Sequence, residues 1–173
     1  MQSQKAIILF LVKFIGLYII LNTIYGFWID HYSPLPDPVT KVVTNQTVAL
    51  ISLTEDNVVV GEAVASPNVP IRQDGKTVVS VFEGCNSLNV MFVFLAFIVA
   101  FTGSAKKTVV FGVAGLVIIY MVNLIRVGLL FYIARYYPGN LYFFHKYLFT
   151  ALLYVLVFIL WYFWVTKIWP NKA

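Results

Sequence analysis

Charged residues are scarce in this sequence. They make up 11% of its 173 residues, whereas a soluble globular domain averages about 25%. So few charges cannot cover a water-exposed surface, which excludes an ordinary soluble domain. Hydrophobic residues account for 61% of the chain, and the mean hydropathy is +0.86. The composition therefore predicts an integral membrane protein.

Cysteine and histidine are almost as rare. Cys85 is the single cysteine, which excludes an internal disulfide bond. His31 and His145 are the only histidines, and no cysteine–histidine cluster has the spacing of metal ligands. No basic run with interleaved polar residues supports nucleic-acid binding, despite the net charge of +5. We expect no metal, no cofactor and no nucleic-acid partner, and we expect membrane lipids around most of the chain.

Acidic residues are missing from most of the chain. All seven lie within residues 29–84, which also hold three basic residues and so carry a net charge of −4. The remainder has nine basic residues and no acidic one. This division predicts that residues 29–84 are the only water-soluble part of the protein.

Four apolar stretches are long enough, or nearly long enough, to cross a bilayer of about 30 Å. The first is too long for the apolar region of a cleaved signal peptide and no A-x-A site follows it, so we expect an uncleaved anchor. The third contains Asn123 and Arg126. The four stretches are Ala6–Trp28, Ser87–Gly103, Thr108–Ala134 and Tyr147–Ile168.

Residues 29–84 show local signals of a small α+β cap. Asp37–Pro38 reads as a helix N-cap followed by proline at the first helical position. Val58–Val60 is typical of a strand, and Ile71–Val79 is typical of a hairpin whose Asp74–Gly75 pair suits a type I′ turn. The residues that follow Asp37–Pro38 at helical spacing, with one polar exception, are Val39, Val42, Val43, Gln46, Leu50 and Leu53.

Together these segments predict an all-α transmembrane bundle of about four helices with a small α+β extracytoplasmic cap between helices 1 and 2. Residues 1–28 form the N-terminal anchor, residues 29–84 the cap and residues 85–173 a three-helix transmembrane region. The lysine pair in the tight Gly103–Lys107 turn favours the cytoplasm for that turn and for both termini, where Lys172 also lies. The protein is therefore expected to be a multi-pass protein of the cytoplasmic membrane with the cap outside.

This topology brings three reactive residues to one membrane depth. Cys85 precedes the second stretch and His145 precedes the fourth, so both lie at the outer end of a span. Arg126 lies 18 residues into the third stretch, and at 1.5 Å per residue this places it about 27 Å along, near the same interface. On depth alone His31, at the outer end of the first stretch, could replace His145.

The three side chains have complementary chemistry. The thiolate of Cys85 can attack a carbonyl, and a nearby guanidinium such as Arg126 can stabilise the thiolate or the resulting oxyanion. His145 can take the thiol proton and later give a proton to a leaving amine. Asn123, three residues before Arg126 on the same helical face, can hold the guanidinium, and Glu83 is either its second partner or simply solvated.

Each residue also has an ordinary explanation when taken alone. A lone cysteine in a membrane protein is usually an inert small hydrophobe, and an arginine near the end of a span usually reaches the headgroups. A lone histidine at an interface is usually just an amphipathic residue there. Their joint occurrence at one level, in a chain with one cysteine and two histidines, favours a catalytic set.

At these residues the sequence resembles the exosortase/archaeosortase family of membrane transpeptidases, in particular a short exosortase type of gram-negative bacteria. The matching pieces are Glu83-Gly-Cys85-Asn86-Ser87 at the start of a span, Asn123-Leu-Ile-Arg126-Val in the next, and His145 opening the last. The resemblance implies Cys85 as nucleophile, Arg126 as positive stabiliser and His145 as proton shuttle, facing the extracytoplasmic side. It makes residues 85–173 the catalytic region.

The resemblance also implies substrates and a reaction. Membrane-tethered proteins with a C-terminal sorting signal would be cleaved through a thioester acyl-enzyme and transferred to an amine acceptor, which a lipid-linked or cell-surface precursor could carry. Two other classes stay open at this point. A non-enzymatic scaffold or assembly subunit of a secretion or polysaccharide-export system would not need Cys85, and a thiol–disulfide redox protein would need a second cysteine.

Overall fold

The computed structural model describes residues 2–101 and 104–168, and within them the chain is mostly helical with one small sheet. Helix α1 spans Gln2–Tyr32 and ends two residues before Pro34, which disfavours helical backbone in the residue preceding it. It is therefore longer than the predicted stretch Ala6–Trp28. The predicted Gly103 and Lys172 lie outside the described residues.

Helix α2, Pro38–Ile51, begins as the sequence predicts. Asp37 is its N-cap, and the carboxylate accepts hydrogen bonds from the backbone N–H groups of Val39 at 2.9 Å and Thr40 at 3.1 Å. The buried face differs from the apolar spacing in the sequence, because Val42, Leu50 and Leu53 are exposed. The face that is buried carries Thr40, Val43, Thr44, Thr47 and Ile51.

The cap sheet has three antiparallel strands in the order β1–β2–β3, at Val58–Val60, Val69–Gln73 and Lys76–Val81. The predicted strand and hairpin are both present. Asp74 and Gly75 form the two-residue turn with φ angles of 49° and 77°, as a type I′ turn requires. A bulge interrupts the β2–β3 register beside Ile71 and Arg72, so that Val78 has no partner in β2.

The prediction of about four spans needs a correction. Within the described residues three helices are long and apolar enough to cross a membrane, and these are α1, helix α4 at Ala105–Tyr136 and a final helix α5 at Pro138–Ile168. The predicted second span is helix α3, Leu88–Ala100, whose 13 residues measure about 20 Å. It falls short of a 30 Å bilayer core because the chain leaves helical geometry at Ser87 and at Phe101.

The bundle and the cap have separate cores. In the bundle, Met91, Phe94 and Ile98 of α3 pack with α4 and α5, and Phe97 stacks on Trp161 with ring centroids 4.1 Å apart. In the cap, side chains of α2 and the sheet pack against Leu124, Val127 and Phe131 of α4. The last turns of α4 are therefore part of the cap core.

Polar contacts join the end of α4 to the cap. The hydroxyl of Tyr136 donates to Glu55 at 3.0 Å, and Arg135 donates to Gln73, whose amide donates in turn to Glu55 at 3.1 Å. These contacts hold the cap against the helix that carries Arg126.

Candidate active site

Strand β3 leads into Cys85 through one short turn. Residues Glu83–Cys85 form a 3-10 turn, in which the Cys85 N–H donates to the carbonyl of Phe82 at 2.8 Å. Ser87 then adopts a left-handed conformation with φ of 64°, which redirects the chain into α3. The thiol consequently lies at the junction of cap and bundle, where Cys85 is 4% exposed.

His145 approaches Cys85 from the last helix. Its Nε2 lies 3.3 Å from the Cys85 Sγ, within hydrogen-bonding distance for sulfur. His145 lies in a π-helical stretch of α5, Phe144–Leu148, and such stretches are often found at functional sites. The backbone carbonyl of His145 also accepts a hydrogen bond from Thr150 Oγ1 at 3.1 Å.

Asn123 links Arg126 to the cysteine turn. The Asn123 amide donates to the backbone carbonyl of Cys85 at 2.8 Å, and its Oδ1 accepts from Arg126 Nη1 at 3.2 Å. Asn123 is fully buried and Arg126 is 7% exposed. The guanidinium Nε is also buried and has no hydrogen-bond partner among the described residues. Arg126 therefore keeps a donor free inside the site, where its charge acts on the Cys85 thiol, and its buried side chain does not reach out to headgroups.

Burial raises the pKa of the Cys85 thiol above its ordinary value of 9.0. The positive charge of Arg126 opposes that rise in pKa, whereas the negative charge of Glu83 adds to it. The resting group is thus a protonated thiol at neutral pH, and a nucleophile forms only when a base removes the proton. His145 is the base in contact with it.

The structure distinguishes between the remaining sequence candidates. His31 lies at the end of α1, is exposed and packs against Tyr32, so the histidine at the thiol is His145. Glu83 is half-buried in the cysteine turn and acts on the thiol by its charge, while the hydrogen-bond partner of the Arg126 guanidinium is Asn123.

One group of site residues was missed from the sequence. Asn86, directly after Cys85, is 1% exposed, and its amide donates to Tyr25 at 2.7 Å and to Thr40 at 3.2 Å. Its Oδ1 accepts from the backbone N–H of Leu88 at 3.0 Å. The sequence signal was a polar residue next to the cysteine at the start of an apolar run, but its partners are distant in sequence.

A groove of about 570 Å³ opens beside His145. One wall is β3 and the other is the start of α5, with Leu130 of α4 also in the lining. Within the described residues, no group of three His, Cys, Asp or Glu side chains could hold a metal ion. His145 lines this groove and contacts the Cys85 thiol, so a peptide-sized groove opens next to the thiol–imidazole pair.

Comparison with known proteins gives one match. The family model described as transmembrane exosortase matches residues 6–163, which is most of the chain and includes every residue of the candidate site. Searches of curated proteins and of solved structures gave no match.

Proposed function

We propose, since the chain belongs to the transmembrane exosortase family, that it is a membrane cysteine transpeptidase. Its substrates would be exported proteins that carry a C-terminal sorting signal. The observation that supports this most directly is the 3.3 Å contact between Cys85 Sγ and His145 Nε2 beside the buried Arg126.

The acylation step follows from this arrangement. With its proton on Nδ1, His145 accepts the thiol proton at Nε2 while Cys85 Sγ attacks the substrate carbonyl carbon. The negative charge that develops on the carbonyl oxygen is stabilised by the Arg126 guanidinium, which has the unpartnered Nε–H to offer. The C–N bond then breaks, the imidazolium returns its proton to the leaving amine, and a thioester on Cys85 remains.

The deacylation step reverses these roles. An amine acceptor attacks the thioester carbonyl and loses its proton to His145, and the Cys85 thiolate leaves and is reprotonated. The acceptor is proposed to be carried by a lipid or a cell-surface precursor. Water in its place would release a free carboxylate. Both steps are proton-neutral overall and need no metal or redox partner.

The site is proposed to face the extracytoplasmic side of the cytoplasmic membrane. Cys85 lies where the cap meets the apolar bundle. The cap segment, residues 29–84, contains all seven acidic residues of the chain. A substrate anchored by a transmembrane helix would present the residues just outside the bilayer at this depth. This supports cleavage next to the membrane surface.

The test compares the C-termini of surface proteins, by mass spectrometry, in cells with the native chain and with Cys85→Ala. We expect the variant to accumulate full-length, membrane-tethered substrates, and the native chain to yield shortened C-termini with the mass of the acceptor attached. His145→Ala should lower processing by about 10²–10⁴-fold, as loss of a general base does. His31→Ala is the matched control and should process normally, because His31 is exposed and the histidine in contact with the thiol is His145.

A non-enzymatic scaffold is the alternative. It predicts unchanged C-termini in the Cys85→Ala cells and a loss of assembly only when the chain itself is missing. Normal processing with Cys85→Ala, at a normal level of the protein, would reject the transpeptidase.

A further inference from the structure

We propose that the free edge of β3 binds the substrate segment that precedes the scissile bond, as an added parallel strand paired with the backbone of Ser80. The inference deepens the proposed function and rests on it. It assigns the cap a role in recognition and names the atoms that carry it.

The groove beside His145 lies along the edge of β3 and not along a face of the sheet. Consecutive residues of a strand point to opposite faces, yet four consecutive residues of β3, Thr77 to Ser80, line this one groove. Only the edge of a strand is adjacent to all of them. β3 is an outer strand, since the sheet order is β1–β2–β3.

The strand register shows which backbone groups point into the groove. Pro70 pairs with Ser80, and its carbonyl accepts from the Gly61 N–H at 2.7 Å on the β1 side. Pro70 and Ser80 are therefore a non-hydrogen-bonded pair, in which the N–H and C=O of Ser80 point away from β2. No other described residue makes a backbone hydrogen bond to Ser80 on that side. Ser80 thus offers one donor and one acceptor to an extended peptide.

The direction of the added strand follows from the position of the catalytic pair. β3 runs from Lys76 towards Val81, Phe82 and then Cys85, and the groove reaches Phe82 and His145 at this end. A substrate segment on the N-terminal side of its scissile bond must also run towards Cys85. The two strands are therefore parallel.

The bulge at Val78 limits this interface. Bulges on edge strands interrupt pairing and protect against unwanted strand addition. The regular edge is confined to the part next to the catalytic pair, so strand pairing covers about three substrate residues, and the residues before them pass Thr77 along the groove without pairing. An extended peptide bound in this way is held mainly by its main chain, with side chains adding selectivity.

The test is photocrosslinking in cells that carry the Cys85→Ala chain, so that substrate is bound but not consumed. A photoreactive phenylalanine replaces Thr77 or Ser80 in the groove, or Val59 on the opposite strand of the sheet as the control. Mass spectrometry then identifies the crosslinked residue of the partner. We expect positions 77 and 80, but not 59, to crosslink a segment directly before a C-terminal transmembrane helix of an exported protein. The residue captured from 77 should lie about three residues N-terminal to that captured from 80.

Crosslinks in the reverse order, crosslinks to lipid alone, or equal capture from position 59 would overturn the inference. Processing measured in parallel cells of the same strain that carry the native chain separates the test of the β3 edge from the test of the proposed function. Cys85-dependent processing without groove crosslinks rejects only the β3 edge, whereas processing that does not need Cys85 rejects the transpeptidase itself.

A second measurement tests the Ser80 N–H directly. Ser80→Pro removes that N–H, and Ser80→Ala keeps it while removing the hydroxyl. Loss of one peptide hydrogen bond should make processing by Ser80→Pro about fivefold or more slower than processing by Ser80→Ala, which keeps the N–H. Equal rates in both variants, at equal protein levels in the membrane, would contradict the pairing.

Discussion

The side-chain amide of Asn123 donates a 2.8 Å hydrogen bond to the backbone carbonyl of Cys85, while its oxygen accepts from Arg126. One buried residue of α4 thus positions both the backbone of the proposed nucleophile and the guanidinium beside it. The Asn123–Cys85 hydrogen bond joins α4 to the turn that carries the cysteine, and these two segments meet only in the folded chain. The spacing between the thiol and the guanidinium therefore depends on Asn123.

Asn123→Ala should therefore reduce processing without removing any reacting group. It leaves the Cys85 carbonyl and the Arg126 Nη1 without their partner, and losing buried hydrogen bonds of this kind costs about 1–3 kcal/mol. We expect a reduction in processing of about 10- to 100-fold. Asn123→Gln retains the amide and should recover part of the processing rate. If Asn123 has only a structural role, both variants should instead show the same loss of protein from the membrane.

The pH dependence of thiol reactivity tests the electrostatics of the site. Burial raises the pKa of Cys85 above 9.0, so the rate of alkylation by iodoacetamide should still be rising above pH 9. Arg126→Gln removes the charge that lowers the thiol pKa and should move the curve to higher pH. Glu83→Gln removes a charge that raises the pKa and should move it to lower pH.

These two shifts in opposite directions form an internal control. Identical curves for the native chain and Arg126→Gln would show that the guanidinium does not act on the thiol. The curves are measured on the full chain in detergent. Cys85 is the single cysteine of the chain, so no other thiol has to be removed before alkylation is measured.

The parts of the fold that local rules determine could be predicted from sequence. Asp37–Pro38 and Asp74–Gly75 each specify a cap or a turn by their own conformational preferences, and both are present. Counting along the apolar stretches predicted one membrane depth for Cys85 and His145, because both precede such stretches, but depth alone left His31 as an alternative to His145.

Other features depend on partners that only folding brings near. The buried face of α2 carries Thr40, Thr44 and Thr47, and its burial is decided by contacts with distant elements, not by apolar spacing. The raised pKa of Cys85 arises from the cap packing over it.

The contact between α3 and α4 predicts a difference between two glycines of the same helix. A Cβ at Gly115 would lie 2.1 Å from a ring carbon of Phe94, which is fully buried and has no room to move. A Cβ at Gly128 would meet nothing within 4 Å. Gly115→Ala should therefore destabilise the bundle by about 1–3 kcal/mol through overpacking, whereas Gly128→Ala should be neutral or stabilise it by up to about 1 kcal/mol.

Thermal unfolding of the two alanine variants in the same detergent measures this difference. A melting temperature for Gly115→Ala equal to that of Gly128→Ala would contradict the close packing of Phe94 on α4.

The Asn86 contacts predict a coupling between the bundle and the reactive turn. Asn86→Ala leaves the Tyr25 hydroxyl, the Thr40 hydroxyl and the Leu88 N–H without that partner, which should cost about 2–3 kcal/mol of stability. Processing should fall as well, because the turn that holds Cys85 loses its tie to α1 and α2. Asn45→Ala, at an exposed position of α2, is the control and should change neither quantity.

The orientation of the chain is the last prediction, and it decides whether the cap can meet exported substrates. Cys85→Ala makes the sequence free of cysteine, so single cysteines can report each side. Val64→Cys places a thiol in the cap, where Val64 is 79% exposed, and Ser104→Cys places one at the exposed start of α4. In right-side-out membrane vesicles an impermeant maleimide should label position 64 and spare position 104, and detergent should expose both. Because α4 runs from position 104 towards the cap, the two positions lie at opposite ends of one spanning helix. Labelling of position 104 alone would put the Cys85–His145 pair on the cytosolic side, where the proposed exported substrates do not present their sorting signals.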